Sequence, residues 1–73
     1  MNAHDAAVEM MEDAGLSTVQ LSRIMSRGRS YISSTIGRGH TPRSDILAEI
    51  ANACEYDLIA KRRCDGYEII IDP

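Results

Sequence analysis

Apolar positions recur at helical spacing in successive stretches of the chain and switch to alternation near its C-terminal end. From Ala3 to Ala14, the residues Ala7, Met10, Met11 and Ala14 trace one stripe. Asn2 is placed to cap this helix and Gly15 to terminate it, while Asp5, Glu9, Glu12 and Asp13 lie on its outer side. Leu21, Ile24 and Met25 then stand at i, i+3 and i+4 and predict a short helix from Thr18 to Met25. Ser17 and Gln20 make a capping box, and Leu16 with Leu21 makes a hydrophobic staple that sets the entry angle. Ser26, Arg27 and Gly28 interrupt the pattern, with Gly28 the residue that accepts positive φ at the turn. The pattern resumes over Arg29 to Ile36, where Ile32 and Ile36 share a face and Arg29, Ser30, Tyr31 and Ser34 point elsewhere.

Gly37 to Thr41 reads as a loop, since GRGHT holds two glycines and no apolar residue. Pro42 then opens another helix, capped by Thr41 or Ser44. Ile46, Leu47, Ile50, Ala51 and Cys54 give that helix a wide apolar stripe, which assigns it to the core. From Tyr56 the period becomes two. YDLIAKRR and YEIIID are separated by Cys64, Asp65 and Gly66, and the Asp-Gly pair predicts a hairpin turn. Leu58 and Ala60 on one strand, with Ile69 and Ile71 on the other, form a face expected to lie on the helices, leaving Ile59 and Ile70 opposite. Lys61, Arg62 and Arg63 serve either as guards of an exposed edge or as contacts to DNA, the former being favoured.

The stretch from Ser17 to Gly39 organises the rest, because it alone reads as two short helices folded on each other across a tight turn. A second helix so short and so rich in Ser cannot stand alone in water, since nucleation is costly and Ser competes for its own backbone. Held by neighbours, it offers an Arg and hydroxyl face thin enough for the major groove, where Arg reads guanine and Ser donates to several base edges or phosphates.

This stretch, with the TPRSDILAEIANAC that follows, resembles the helix-turn-helix of the phage Cro and lambda-repressor superfamily over residues 3 to 54. Thr18 matches the first position of the first motif helix, Leu21 and Ser22 its packed centre, Ser26 the turn, and Ile32 and Thr35 the buried face of the recognition helix. Ser22 stands where a small Ala is usual, Ser26 where Gly is common, and Arg27 where an apolar residue is expected. The family's Glu-Arg-Gly ending appears as Gly37-Arg38-Gly39. The resemblance implies a mainly α, four-helix lambda-repressor-like domain with, in this chain, a C-terminal β-hairpin over residues 56 to 72. It further implies double-stranded DNA as the partner. Gly28, Arg29, Ser30, Ser33 and Ser34 would face bases, Tyr31 a base or a phosphate, and Thr18, Arg27, Arg38, His40 and Arg43 would hold the backbone. Thr18 reads equally well as a plain helix-start residue.

At 73 residues there is room for a single domain with a small core, and chains of this size are often completed by a second copy. A homodimer is expected, through the hairpin edge or the last helix. The net charge of -3 argues at first against nucleic acid. The distribution answers the objection: between Ala14 and Ser44 stand five arginines (Arg23, Arg27, Arg29, Arg38, Arg43) and His40, with no Asp or Glu. The plain alternative is that these arginines only solubilise a helical surface.

No apolar run approaches the roughly 20 residues that span a bilayer, and no basic segment followed by an apolar one opens the chain, so a cytoplasmic protein without a membrane partner is expected. Cys54 and Cys64 are too few for a disulfide scaffold, and with His4 and His40 they lack the paired spacing of a zinc site; no metal or other cofactor is expected. Cys54 reads as a buried helix residue and Cys64 as a neighbour of the turn. No nucleophile has a base at a known spacing and no Gly-rich phosphate loop is present, so an enzyme is not expected. The expected function is a sequence-specific transcriptional regulator, a repressor of phage or mobile-element type. The alternative is an antitoxin-like or adaptor module that receives a protein partner on its hairpin.

Overall fold

In the computed structural model, which describes residues 1–73, the first helix α1 spans Ala3–Ala14. The Asn2 side chain caps it by accepting the Asp5 N–H at 2.8 Å. Gly15, at φ 70°, closes it: the Gly15 N–H reaches Glu12 O and the Leu16 N–H reaches Met11 O, the double bond of a Schellman ending. Ala7, Met10 and Met11 are buried as their spacing requires, whereas Ala14 is exposed. Ala14, in the last turn, opens onto a surface cleft that it shares with Leu16, Ile24, Cys54 and Tyr56.

Helix α2 spans Thr18–Ile24, and both bonds of the Ser17–Gln20 capping box are present, at 3.1 and 2.8 Å. It ends one residue earlier than the spacing suggested, with Met25 as its cap. Ser26 then takes the left-handed conformation at φ 58°; its N–H reaches Arg23 O and the Arg27 N–H reaches Ser22 O. This is a second Schellman ending, built on a serine. Gly28, the expected positive-φ residue, is not one, because the reversal is completed two residues before it. Ile24 also departs from expectation: it is 54 % exposed, beside Leu16 and Tyr56 in a shallow surface cleft, while the core-facing side of α2 is made by Leu21 and Ser22.

Helix α3 is shorter than the pattern implied, Tyr31–Ile36, with Arg29 and Ser30 in the turn before it. Ile32 and Ile36 are buried. The expected loop contains a single 3-10 turn, Gly37–Gly39, in which Arg38 itself is left-handed at φ 58°. Helix α4 spans Ser44–Ala53. Neither Thr41 nor Ser44 caps it; Pro42 is buried at the entry, and the Leu47 N–H bonds to the Arg43 carbonyl at 2.8 Å, which makes Arg43 the cap position and Ser44 the first helical residue. Its buried stripe includes Ile46, Ile50 and Ala51, and Cys54 ends it. Glu55 at φ 62° gives a third Schellman ending.

The core joins Ala7, Met10 and Met11 of α1, Leu21 of α2, Ile32 and Ile36 of α3, and Ile46, Ile50, Ala51 and Cys54 at α4. Two outlying bonds fasten α1 to the rest. His4 Nδ1 donates to the His40 carbonyl at 3.2 Å near one end, and Tyr56 Oη donates to Asp13 Oδ2 at 2.6 Å near the other.

Strands β1 (Ile59–Lys61) and β2 (Glu68–Ile70) pair antiparallel with Ile59 opposite Ile70 and Lys61 opposite Glu68. The regular pairing is shorter than the alternation suggested, although single backbone bonds extend it, from the Ile71 N–H to Leu58 O at 2.7 Å and from the Arg62 N–H to Tyr67 O at 2.8 Å, before the turn that opens at Arg62. Its guanidinium grips Asp65 at 2.6 Å and stacks over Tyr67 at 5.0 Å. The Arg62 hydrogen bond, seconded by the Tyr67 N–H, holds the Asp65 carboxyl down at about 2. The hairpin does not lie on the helices. All six strand residues are exposed, Ile69 at 56 %, and only Leu58, just ahead of β1, packs on the core. The molecule measures 41 × 22 × 20 Å as a result.

Candidate nucleic-acid interface

Beyond the apolar core that Leu21, Ile32 and Ile36 share, one hydroxyl ties α2 to α3. Ser22 is fully buried; its Oγ donates to Thr18 O at 2.8 Å and accepts the Ile32 N–H at 3.1 Å. Ser30, at the cap position of α3, makes no side-chain capping bond. Ser22 therefore supplies from the neighbouring helix what Ser30 does not, satisfying an N–H of the first turn that would otherwise be buried and unpaired. A small apolar residue at position 22 fills the space but cannot do this. The signal was present in the sequence as a hydroxyl at a packed position, without a cue to its partner.

Around α3 the expected contact residues divide into groups. Ser33 and Ser34 are exposed on α3, and the first donates its hydroxyl to Ser30 O at 3.0 Å while remaining open as an acceptor. They line a small concavity of about 230 Å³ together with Gly37, Arg38 and His40. The helix face and the following loop thus meet. Gly28, Arg29 and Ser30 are exposed but stand in the turn, not on the helix.

Three expected residues are otherwise engaged. Tyr31 is half-buried against the core, and the Arg27 guanidinium lies 4.8 Å from its ring centre, so its ring packs rather than projects. Arg27 also pairs with Glu49 at 3.3 Å. Arg43 folds onto Asp45 at 2.8 Å, an exposed pair in which the hydrogen bond raises the arginine's pKa and lowers the aspartate's. The acid-free stretch is acid-free only along the chain: α4 brings Asp45 and Glu49 back to two of its five arginines. Thr18 is half-buried, its carbonyl taken by Ser22.

A second concavity lies before α3 in the chain. Val19, Arg23, Ser26, Arg27 and Arg29 line a cleft of about 560 Å³ that opens to solvent. Arg23 and Ser26 were not among the expected contact residues; their spacing with Val19, at i, i+4 and i+7, was the available cue. Arg23 and Arg29 form no ion pair and no side-chain hydrogen bond within the chain. No helix is long and apolar enough to cross a membrane. The chain shows no match to any protein-family model, curated protein or solved structure with which it was compared.

Proposed function

We propose that the chain is a sequence-specific double-stranded DNA-binding regulator of the lambda-repressor-like kind, which presents α3 to the major groove and acts by occupying a promoter. The observation that carries this reading is the α2–α3 unit itself: two short helices bolted by the Ser22 hydroxyl, with exposed serines lining one concavity beside Arg38 and a second concavity lined by Arg23, Arg27 and Arg29. Ser30, Ser33 and Ser34 face bases; Arg23, Arg29, Arg38 and His40 hold the backbone. Arg27 and Arg43 shape the surface through their partners and contribute less free charge. The test is a fluorescence-anisotropy titration of DNA from upstream of the protein's own gene against a scrambled duplex at several salt concentrations. Tighter binding to the native duplex, falling steeply with salt, is the expected result. Absence of binding to both duplexes at low salt overturns it.

The hairpin favours a second component. Tyr67, Ile69 and Ile70 are 57, 56 and 56 % exposed, and a two-stranded hairpin alone in water is marginal. A second copy pairing along this element fits a regulator that reads two half-sites. A foreign protein on the same surface is the adaptor reading, and it would leave the purified chain monomeric.

A further inference from the structure

The cleft before α3 has no assigned occupant, and its chemistry is specific. Val19 is its sole apolar wall; the others are Arg23, Ser26, Arg27 and Arg29. We infer that this cleft is a phosphate-binding site, in which the three guanidiniums and the Ser26 hydroxyl receive one phosphoryl group. The inference deepens the DNA-binding reading in one of its two forms and therefore rests partly on it.

Charge decides the sign of the ligand. Glu49 is the acid in contact with these arginines, through Arg27 alone, so the cleft keeps two unbalanced positive charges. That suits a phosphoryl group of either source, the single negative charge of a backbone diester or the roughly −1.5 to −2 of a monoester at neutral pH. The carbonyl end of α2, which would repel an anion, is already occupied: Leu21 O, Ser22 O and Arg23 O accept the N–H groups of Met25, Arg27 and Ser26. Geometry decides the class. A planar carboxylate engages one guanidinium fork, whereas a tetrahedral phosphoryl group offers oxygens in several directions to donors arriving from separate points of the chain. Arg27 is the fixed member. Glu49 takes its Nη2 at 3.3 Å and Tyr31 supports its plane at 4.8 Å, leaving its other N–H groups for a ligand. Arg23 and Arg29 are unengaged and able to close on it.

The phosphoryl group has two sources: a backbone phosphate of DNA, or a free phosphorylated molecule. Arginine side-chain amide signals, recorded by NMR on the full chain, separate them when inorganic phosphate and a short scrambled duplex are titrated in turn. Phosphate is expected to shift the Nε–H signals of Arg23, Arg27 and Arg29 saturably and to leave those of Arg38 and Arg63 in place. Arg23→Gln and Arg29→Gln, which remove no internal bond, are each expected to weaken phosphate about tenfold, which is about 1.4 kcal/mol. If the duplex moves the same three signals, the cleft grips the DNA backbone; if phosphate alone moves them, it serves a free phosphorylated ligand. Equal, unsaturable drift of all arginines, or no response to phosphate, overturns the inference. Because the phosphate arm needs no DNA, it can succeed where the anisotropy titration fails, and the reverse.

Discussion

Ser26 and Gly28 show how a single backbone angle redistributes the roles of neighbouring residues. Ser26 sits at φ 58°, a conformation that costs an L-residue about 1 to 2 kcal/mol, while Gly28 has an ordinary φ and open space where a Cβ would be. Ser26→Gly is therefore expected to stabilise the fold by about 1 kcal/mol, partly offset by the greater freedom of glycine in the unfolded chain. Gly28→Ala is expected to be neutral or to stabilise by up to about 1 kcal/mol. Urea unfolding monitored by circular dichroism checks both; loss of stability in Gly28→Ala would move the strained position back to residue 28. The turn was visible in the sequence because the apolar spacing broke there. Its centre was not, because a serine at positive φ looks like any other serine until the helix before it has been seen to end.

Among the elements, α1 was legible almost to the residue, with both caps written into Asn2 and Gly15, and α4 in its apolar stripe, though its start at Ser44 and its cap position at Arg43 were not. The second and third helices were found but overextended, since Arg29 and Ser30 fit a helical period without belonging to a helix. What fixes their mutual position is a contact between residues ten apart, Ser22 to Ile32, and no local pattern announces a bond of that kind. Ser22→Ala should therefore be costly although Ala fits the space. It leaves the Ile32 N–H buried without an acceptor and is expected to destabilise the fold by about 1 to 3 kcal/mol, read from the denaturation midpoint. Ser33→Ala, on the exposed face, should change stability little. Equal effects of the two would remove the bolt assigned to Ser22. The charged face was half legible: the arginines could be counted along the chain and Asp45 stands two residues from Arg43, but the pairing of Arg27 with Glu49, 22 residues away, depends on how α4 returns.

For the molecule as a whole, the departure from expectation is the hairpin, which extends from the helical body on Leu58 instead of covering it. Alternation located the strands and the Asp-Gly pair located the turn; neither could say whether the body had apolar surface left to receive them. Ile69→Lys is expected to convert a hairpin-joined dimer to a monomer by light scattering, with the helical circular dichroism signal unchanged, and a wild-type chain that is already monomeric would refute the pairing. The two bonds that fasten α1, His4 to the loop at His40 and Asp13 to Tyr56 beside the root of the hairpin, then acquire a different meaning. His4 and Asp13 are nine residues apart, which at about 1.5 Å per residue sets the two fastenings roughly 13.5 Å from each other along α1. In the proposed pair of copies joined at their hairpins, α1 would become a ruler: its length would set how far each loop stands from the axis of the pair, and so the half-site spacing that the proposed DNA reading requires.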